Sequence, residues 1–290
     1  MKSINTLVAI LFISLLSSPS WSMTMDDLVE REGLYYKQFT DVPFTGEVTG
    51  EEQGSFESGK REGYWIHSDL DGLLFTTGNY KNGKGEGAWI YYWSNGQLWH
   101  KGNYKNGKME GAWVFYDTSG QLSANVNYKN GKEEGAWVSF HQNGQLGSKG
   151  RYISGKREGA WVHYHENGQL MRKTDFKNGM QEGADVSYHD NGQLSVRGNY
   201  KSDKSEGAWV WYRNNGQLIE KGSYKNGKKE GVWVAHNEDG TVNKEGTGTY
   251  KDGLPAFVFN DDEEENKLPV FIFNDDAVFV SDDDDVKISD

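Results

Sequence analysis

Between Ala88 and Trp93 the chain reads AWIYYW, a run of β-forming side chains bounded on both sides by turn signals. The same layout recurs along most of the chain. One bounding turn reads Lys-Asn-Gly-Lys, as at Lys105 to Lys108, and the other ends in Asn-Gly-Gln, as at Asn143 to Gln145. Asn-Gly tolerates positive φ at both positions, so a type I′ turn joining antiparallel strands is expected at each. Alternation then sorts side chains onto two faces. In the first strand of a pair, Val114 and Tyr116 share one face, as do Val138 and Phe140, while Trp113, Trp137 and Trp161 point the other way. In the second strand Leu98 and Tyr104 share a face opposite Gln97, Lys101 and Asn103. This reading places the tryptophans beside amide and lysine side chains.

The spacing of the pattern is regular. Gly63, Gly87, Gly111, Gly135, Gly159, Gly183, Gly207 and Gly231 follow one another at a step of 24, each preceded by a glutamate from Glu62 to Glu230. A second glycine series from Gly72 to Gly240 keeps the same step. Eight 24-residue repeats therefore fill 54–245, with two strands expected in each. The fold class is all-β, an elongated repeat array of antiparallel β-hairpins. One copy cannot bury its own rings, so each repeat is stabilised mainly by its neighbours.

The flanks read differently. Lys2 and the apolar run Leu7 to Leu16 are followed by SPSWS, with Ser20 and Ser22 suitably placed for cleavage before Met23. Residues 1–22 are thus expected to be a secretory signal peptide, making the protein periplasmic or secreted. Residues 23–53 are expected to cap the array at its N-terminal end, and 246–259, where Pro255 discourages further pairing, at its C-terminal end. From Asn260 to Asp290 twelve acidic residues stand against only Lys267 and Lys287, so 260–290 is expected to be an acidic, flexible tail that solubilises or docks a partner.

Composition narrows the function. The 290 residues carry a net charge of −12, most of it in that tail, and no basic patch that would grip nucleic acid. There is no cysteine, which excludes disulfides, thiolate catalysis and thiolate-bound zinc. His141, His165 and His189 recur at the repeat step, which keeps them about 10 Å apart and unable to share a metal. The glutamate series is separated in the same way. Lys60, Lys84, Lys108, Lys132 and Lys156 stand two residues before its members, so contacts that stabilise turns are expected there. No catalytic triad, phosphate-cradling loop or unique carboxylate pair is recognisable, so neither catalysis nor a cofactor is expected.

The candidate binding residues are the tryptophans of the first strands together with the position two residues later. The tryptophans are expected either to pack the array or to grip a ligand. The later position holds His67, Tyr91, Phe115, Ser139, His163, Ser187, Trp211 and Ala235, varying on a constant frame. The expected partner-binding set is Trp89, Tyr91, Trp113, Phe115, Trp137, Trp161, His163, Trp209, Trp211 and Trp233.

The sequence YKNGK-x-EGAWV-x-Y-x-x-NGQL-x-x-KG, and the leading GLYYKQFTDVPFTGEVTG, resemble the MORN-repeat variant of bacterial proteins in the YwqK antitoxin family. The resemblance runs from Gly33 to Gly253. It implies an elongated sheet of successive hairpins, an antitoxin role and, from MORN proteins in general, scaffolding or membrane-lipid association. Taken together, an exported non-enzymatic protein that binds a protein partner is expected, with glycan or cell-wall binding by the same rings and immunity against a toxin as alternatives.

Overall fold

The computed structural model describes residues 22–256. The expected signal peptide up to residue 21 and the acidic tail lie outside the described residues. The fold is all-β, and its strands keep the 24-residue step. Nine-residue strands run Lys60–Ser68, Lys84–Tyr92, Lys108–Tyr116, Lys132–Phe140, Lys156–Tyr164, Met180–Tyr188, Lys204–Tyr212 and Lys228–His236. Returning strands run Leu74–Lys81, Leu98–Lys105, Leu122–Lys129, Leu146–Ile153, Leu170–Lys177, Leu194–Lys201, Leu218–Lys225 and Val242–Lys251. The described residues form two compact bodies that divide between Met109 and Glu110.

In the first body, a 3-10 turn at Met25–Asp27 leads into a small hairpin, Leu28–Arg31 with Leu34–Lys37. Strand Gly46–Val48 then pairs with Glu52–Glu57, which pairs with Lys60–Ser68, and the next three strands follow antiparallel in chain order. Phe44, Val48, Phe56 and Trp65 form its buried core, with Met23, Met25 and Leu28 packed against them. The leading segment thus covers the first tryptophan of the array. In the second body consecutive strands pair antiparallel up to Val242–Lys251, which takes Leu254–Pro255 as a last short partner. Its core is built from Trp113, Val126, Trp161, Val186, Trp209 and Trp233 with Val210 and Val234.

The two turn types differ, where a single type was expected. The Lys-Asn-Gly-Lys turn is type I′, with φ of 52° at Asn106 and 75° at Gly107. In the Asn-Gly-Gln turn only the glycine takes positive φ, 80° at Gly96. There the Asn95 side-chain oxygen accepts from the Gln97 N–H at 3.0 Å, and the Trp93 N–H donates to the Gln97 carbonyl at 2.8 Å. The asparagine side chain holds a longer loop that ends on a left-handed glycine.

The glycine after each glutamate has a structural cause as well. Asn79 pairs with Glu86 while Gly78 pairs with Trp89, so Gly87 and Ala88 form a bulge, and Gly87 takes a φ of 71°. Beside the bulge, the Glu86 carboxylate reaches the backbone N–H of Asn106 in the next turn at 2.8 Å. Glu62 does the same for Asn82, Glu158 for Asn178 and Glu206 for Asn226. At the opposite turns, a ring nitrogen of His141 lies 2.8 Å from the Tyr164 carbonyl, and His165 meets that of Tyr188 at 3.0 Å. These glutamates and histidines therefore tie each repeat to the next.

The expected placement of tryptophan beside lysine and amide groups is corrected. Trp89 pairs with Gly102, which puts Tyr104, two residues on, beside the indole. Trp89 lies edge-on between Tyr80 and Tyr104, at 5.1 Å and 5.6 Å between centroids. Lysines 101, 149 and 173 sit instead opposite Ile90, Val138 and Val162 on the other face. Cross-strand register, which alternation within one strand does not reveal, sets this arrangement.

Candidate functional site

The expected tryptophan row is interior. Trp65, Trp113, Trp161 and Trp233 are fully buried, and Trp89 and Trp209 nearly so. Each of several indoles lies flat over a glycine of the adjacent strand. A Cβ built at Gly78 would come 2.1 Å from the Trp89 ring, and one at Gly150 2.3 Å from Trp161. The indole N–H groups donate to backbone carbonyls, Trp89 to Asn79 at 3.1 Å and Trp233 to Ser223 at 3.1 Å. Burying one indole removes about 200 Å² from water, worth roughly 5 kcal/mol. Of the two roles expected for these rings, the geometry gives them packing.

Two repeats depart from this arrangement in related ways. Val126 stands where glycine is found elsewhere, and the following Trp137 is half-buried and packs on Trp161 at 5.1 Å. Thr174 replaces the glycine two repeats later, and Asp185 replaces its tryptophan. Those two side chains face each other across the strands, both buried, and Arg172 donates to the Asp185 carboxylate at 2.7 Å. At this second site the larger residue on one strand, threonine for glycine, is matched by a smaller one on the other, aspartate for tryptophan.

The variable positions are half-buried beside the tryptophans. Tyr91 stacks on Trp89 at 6.0 Å, Phe115 lies 6.5 Å from Trp113, His163 6.5 Å from Trp161, and Trp211 stacks on Trp209 at 5.6 Å. Burial, with Arg157 and Arg172 nearby, lowers the pKa of His163.

Only Tyr91 of this set lines a cleft described in the first body. That cleft, about 210 Å³, is walled by Tyr80, Trp89, Tyr91 and Tyr104, with Gly85 and Gly107 completing it. The Tyr91 and Tyr104 hydroxyls are 3.2 Å apart, and Tyr91 also stacks on His100 at 4.3 Å. Burial, and then the Tyr104 hydroxyl, push the Tyr91 phenol upward, while burial pushes the His100 imidazole down to about 4. Both rings are neutral near pH 7, so the cleft is an aromatic cup.

Tyr80, Gly85, Tyr104 and Gly107 were not singled out by pattern. A signal was present, because Gly85 occupies the slot held elsewhere by Arg61, Met109, Glu133, Arg157, Gln181, Ser205 and Lys229. A second pair missed from sequence lies at bulges in the returning strands. Phe75 and Trp99 are left unpaired by bulges, since His67 and Ser68 pair with Thr76 and Leu74, and Tyr91 and Tyr92 with His100 and Leu98. They are 42% and 39% exposed, and Trp99 packs against Trp93 at 4.7 Å.

The repeat matches a known sequence family at 85–106, 109–130, 157–178, 181–202 and 205–226. These five stretches match the MORN repeat variant. Each MORN stretch begins in a nine-residue strand and ends at or just inside the following type I′ turn, so the matched unit is the hairpin pair seen in the fold. No curated protein matches the chain. Among solved structures, the GtfA/B complex bound to UDP and GlcNAc aligns at 15% identity over 39% of this chain and 22% of its own, with a TM-score of 0.18. A porin-like protein from Bacteroides uniformis aligns at 8% identity over 71% of this chain and 89% of its own, also at 0.18. At those scores neither likeness bears on the fold or function of this chain.

Proposed function

We propose that this chain is a non-enzymatic binding protein, exported to the periplasm or beyond, whose aromatic surface engages a protein partner. The observation that carries the reading is the pair Phe75 and Trp99. Both sit at bulges, free of ladder pairing and open to solvent, in a slot that holds Ser123, Gly147, Met171, Ser195 and Ile219 in later repeats. Exposed aromatic side chains on a rigid sheet are the usual anchors of protein interfaces. Tyr64, 56% exposed, lies on the nine-residue strand that pairs with the one carrying Phe75. The side chains best suited to acid–base chemistry support the same reading, because glutamates such as Glu86 and histidines such as His141 hold backbone groups of the next repeat. Export is supported by the basic start, apolar run and cleavage pattern of residues 1–22.

The test is crosslinked capture by the tagged mature chain from the envelope of its own cell, read by mass spectrometry. One protein recovered in near-equal amount supports the proposal. If that protein is a nuclease or pore-former, the function is immunity, as the YwqK resemblance implies. Recovery of the chain alone, with retention on cell-wall sugar, replaces the protein-partner reading with glycan binding.

A further inference from the structure

The aromatic cup in the first body lacks the side chain that covers the equivalent rings in other repeats. In three other repeats the side chain at the Gly85 slot covers the rings below it. The Arg61 guanidinium lies 4.4 Å from the Trp65 ring centroid and 5.5 Å from that of Tyr80. Arg157 lies 4.4 Å from Trp161 and 5.2 Å from Phe176. The Lys229 ammonium lies 3.8 Å from Trp233 and 5.3 Å from Tyr250. In each case a cation sits over a tryptophan and over the aromatic ring that ends the following strand. At the corresponding pair, Trp89 and Tyr104, the slot is Gly85 and brings no side chain.

The neighbouring lysine does not take the place of that cation. The Lys84 stem lies against Gly107 of the next turn, as the Lys60 stem lies against Gly83, and Arg61 covers its own rings all the same. Tyr91 adds a third wall, absent where the equivalent residue is serine or alanine. The result is a concave site of neutral aromatic rings, which favours a weakly hydrated cation over water.

We infer that the Tyr80, Trp89, Tyr91 and Tyr104 cup binds a guanidinium group supplied from outside the chain, as an arginine side chain of the bound protein. Guanidinium is the choice because the chain itself places one over the same ring pair at Arg61 and Arg157. The arginine source rests on the protein-partner reading above. The guanidinium site does not.

Gly85 also supplies the test. A Cβ added there meets Trp89 at 3.4 to 3.5 Å, ordinary contact distance, and Gly85 is not in the left-handed region. Gly85→Arg can therefore fill the cup from within. The full chain is titrated with N-acetyl-arginine methylamide and, separately, with its neutral citrulline counterpart, while the Trp89 indole N–H is followed by NMR. The expected result is saturable movement with the arginine probe, at least tenfold weaker binding of the citrulline probe, and loss of the response in Gly85→Arg but not in Gly85→Ala. Intermolecular Overhauser contacts from the probe to Trp89 and Tyr91 in the unaltered protein provide a readout that needs no variant. Equal binding of the two probes, or contacts placed elsewhere on the chain, would overturn the site. Probe binding without any captured protein supports the site and removes the partner reading. Equal capture of a protein by the unaltered chain and Gly85→Arg overturns arginine of that protein as the source.

Discussion

The carboxylate of Glu134 accepts a hydrogen bond from the backbone N–H of Ser154, 2.7 Å away and twenty residues later in the chain. Glu134 lies at the bulge of one repeat and Ser154 at the type I′ turn of the next, where its φ is 51°. The turn N–H has no place in the strand ladder, and the charged acceptor satisfies it. The contact explains why glutamate is kept at every repeat although successive carboxylates are too far apart to act together.

Glu134→Ala is expected to lower stability by about 1 to 2 kcal/mol, the value of a partly exposed hydrogen bond to a charged group. Urea unfolding measures this, and Glu134→Gln is expected to recover part of the loss. No change in the unfolding midpoint would show that the turn is satisfied equally well by water.

The matched replacements in the array predict a coupling. Gly150→Thr places side-chain atoms against Trp161, where even a Cβ comes within 2.3 Å, and is expected to destabilise by about 3 kcal/mol or more. Trp161→Asp alone leaves a cavity and an unpaired buried carboxylate. Made together, with Ser148→Arg supplying a counterpart of Arg172, they reproduce the Thr174 and Asp185 arrangement and are expected to lose at least 1 kcal/mol less than the summed separate effects. A thermodynamic cycle on the unfolding free energies measures the difference, and simple additivity would contradict the size-matching account.

Stability is expected to fall with acid in a defined window. His100 in the folded chain titrates near 4, pushed down by burial, whereas the unfolded chain takes up that proton near 6.5. Between these values the unfolded state binds more protons, so stability is complete above 6.5, falls as the pH drops towards 4 and levels off below it. His67 and His163, lowered chiefly by burial, act in the same direction. Thermal melts from pH 7 to 4 check the trend, and His100→Gln is expected to flatten part of it.

How much of this was legible follows from where each signal lies. The Lys-Asn-Gly-Lys turns and the 24-residue step carry the strand layout, because Asn106 and Gly107 need only local backbone chemistry to set a hairpin. The position of Trp89 depends on Gly102 of the paired strand and Gly78 of the one before it. That relation needs the cross-strand register, and so the sequence leaves packing and ligand-gripping both open for tryptophans that form the interior. Glu86 reaches a turn one repeat away, which spacing alone did not point to. The cup was readable in principle from one exception, Gly85 in a slot otherwise filled by larger side chains. Phe75 and Trp99 stand out only once the bulges free them from the ladder.

The central claim is that the exposed rings of the first body hold a protein partner. Its most direct test compares capture by the unaltered chain with capture by a Phe75→Ser, Trp99→Ser double variant of equal thermal stability, in the same envelope extract. The account predicts one protein recovered in near-equal amount by the first and reduced at least tenfold with the second. Capture that is undiminished by the variant, or capture of no protein by either chain, would contradict it.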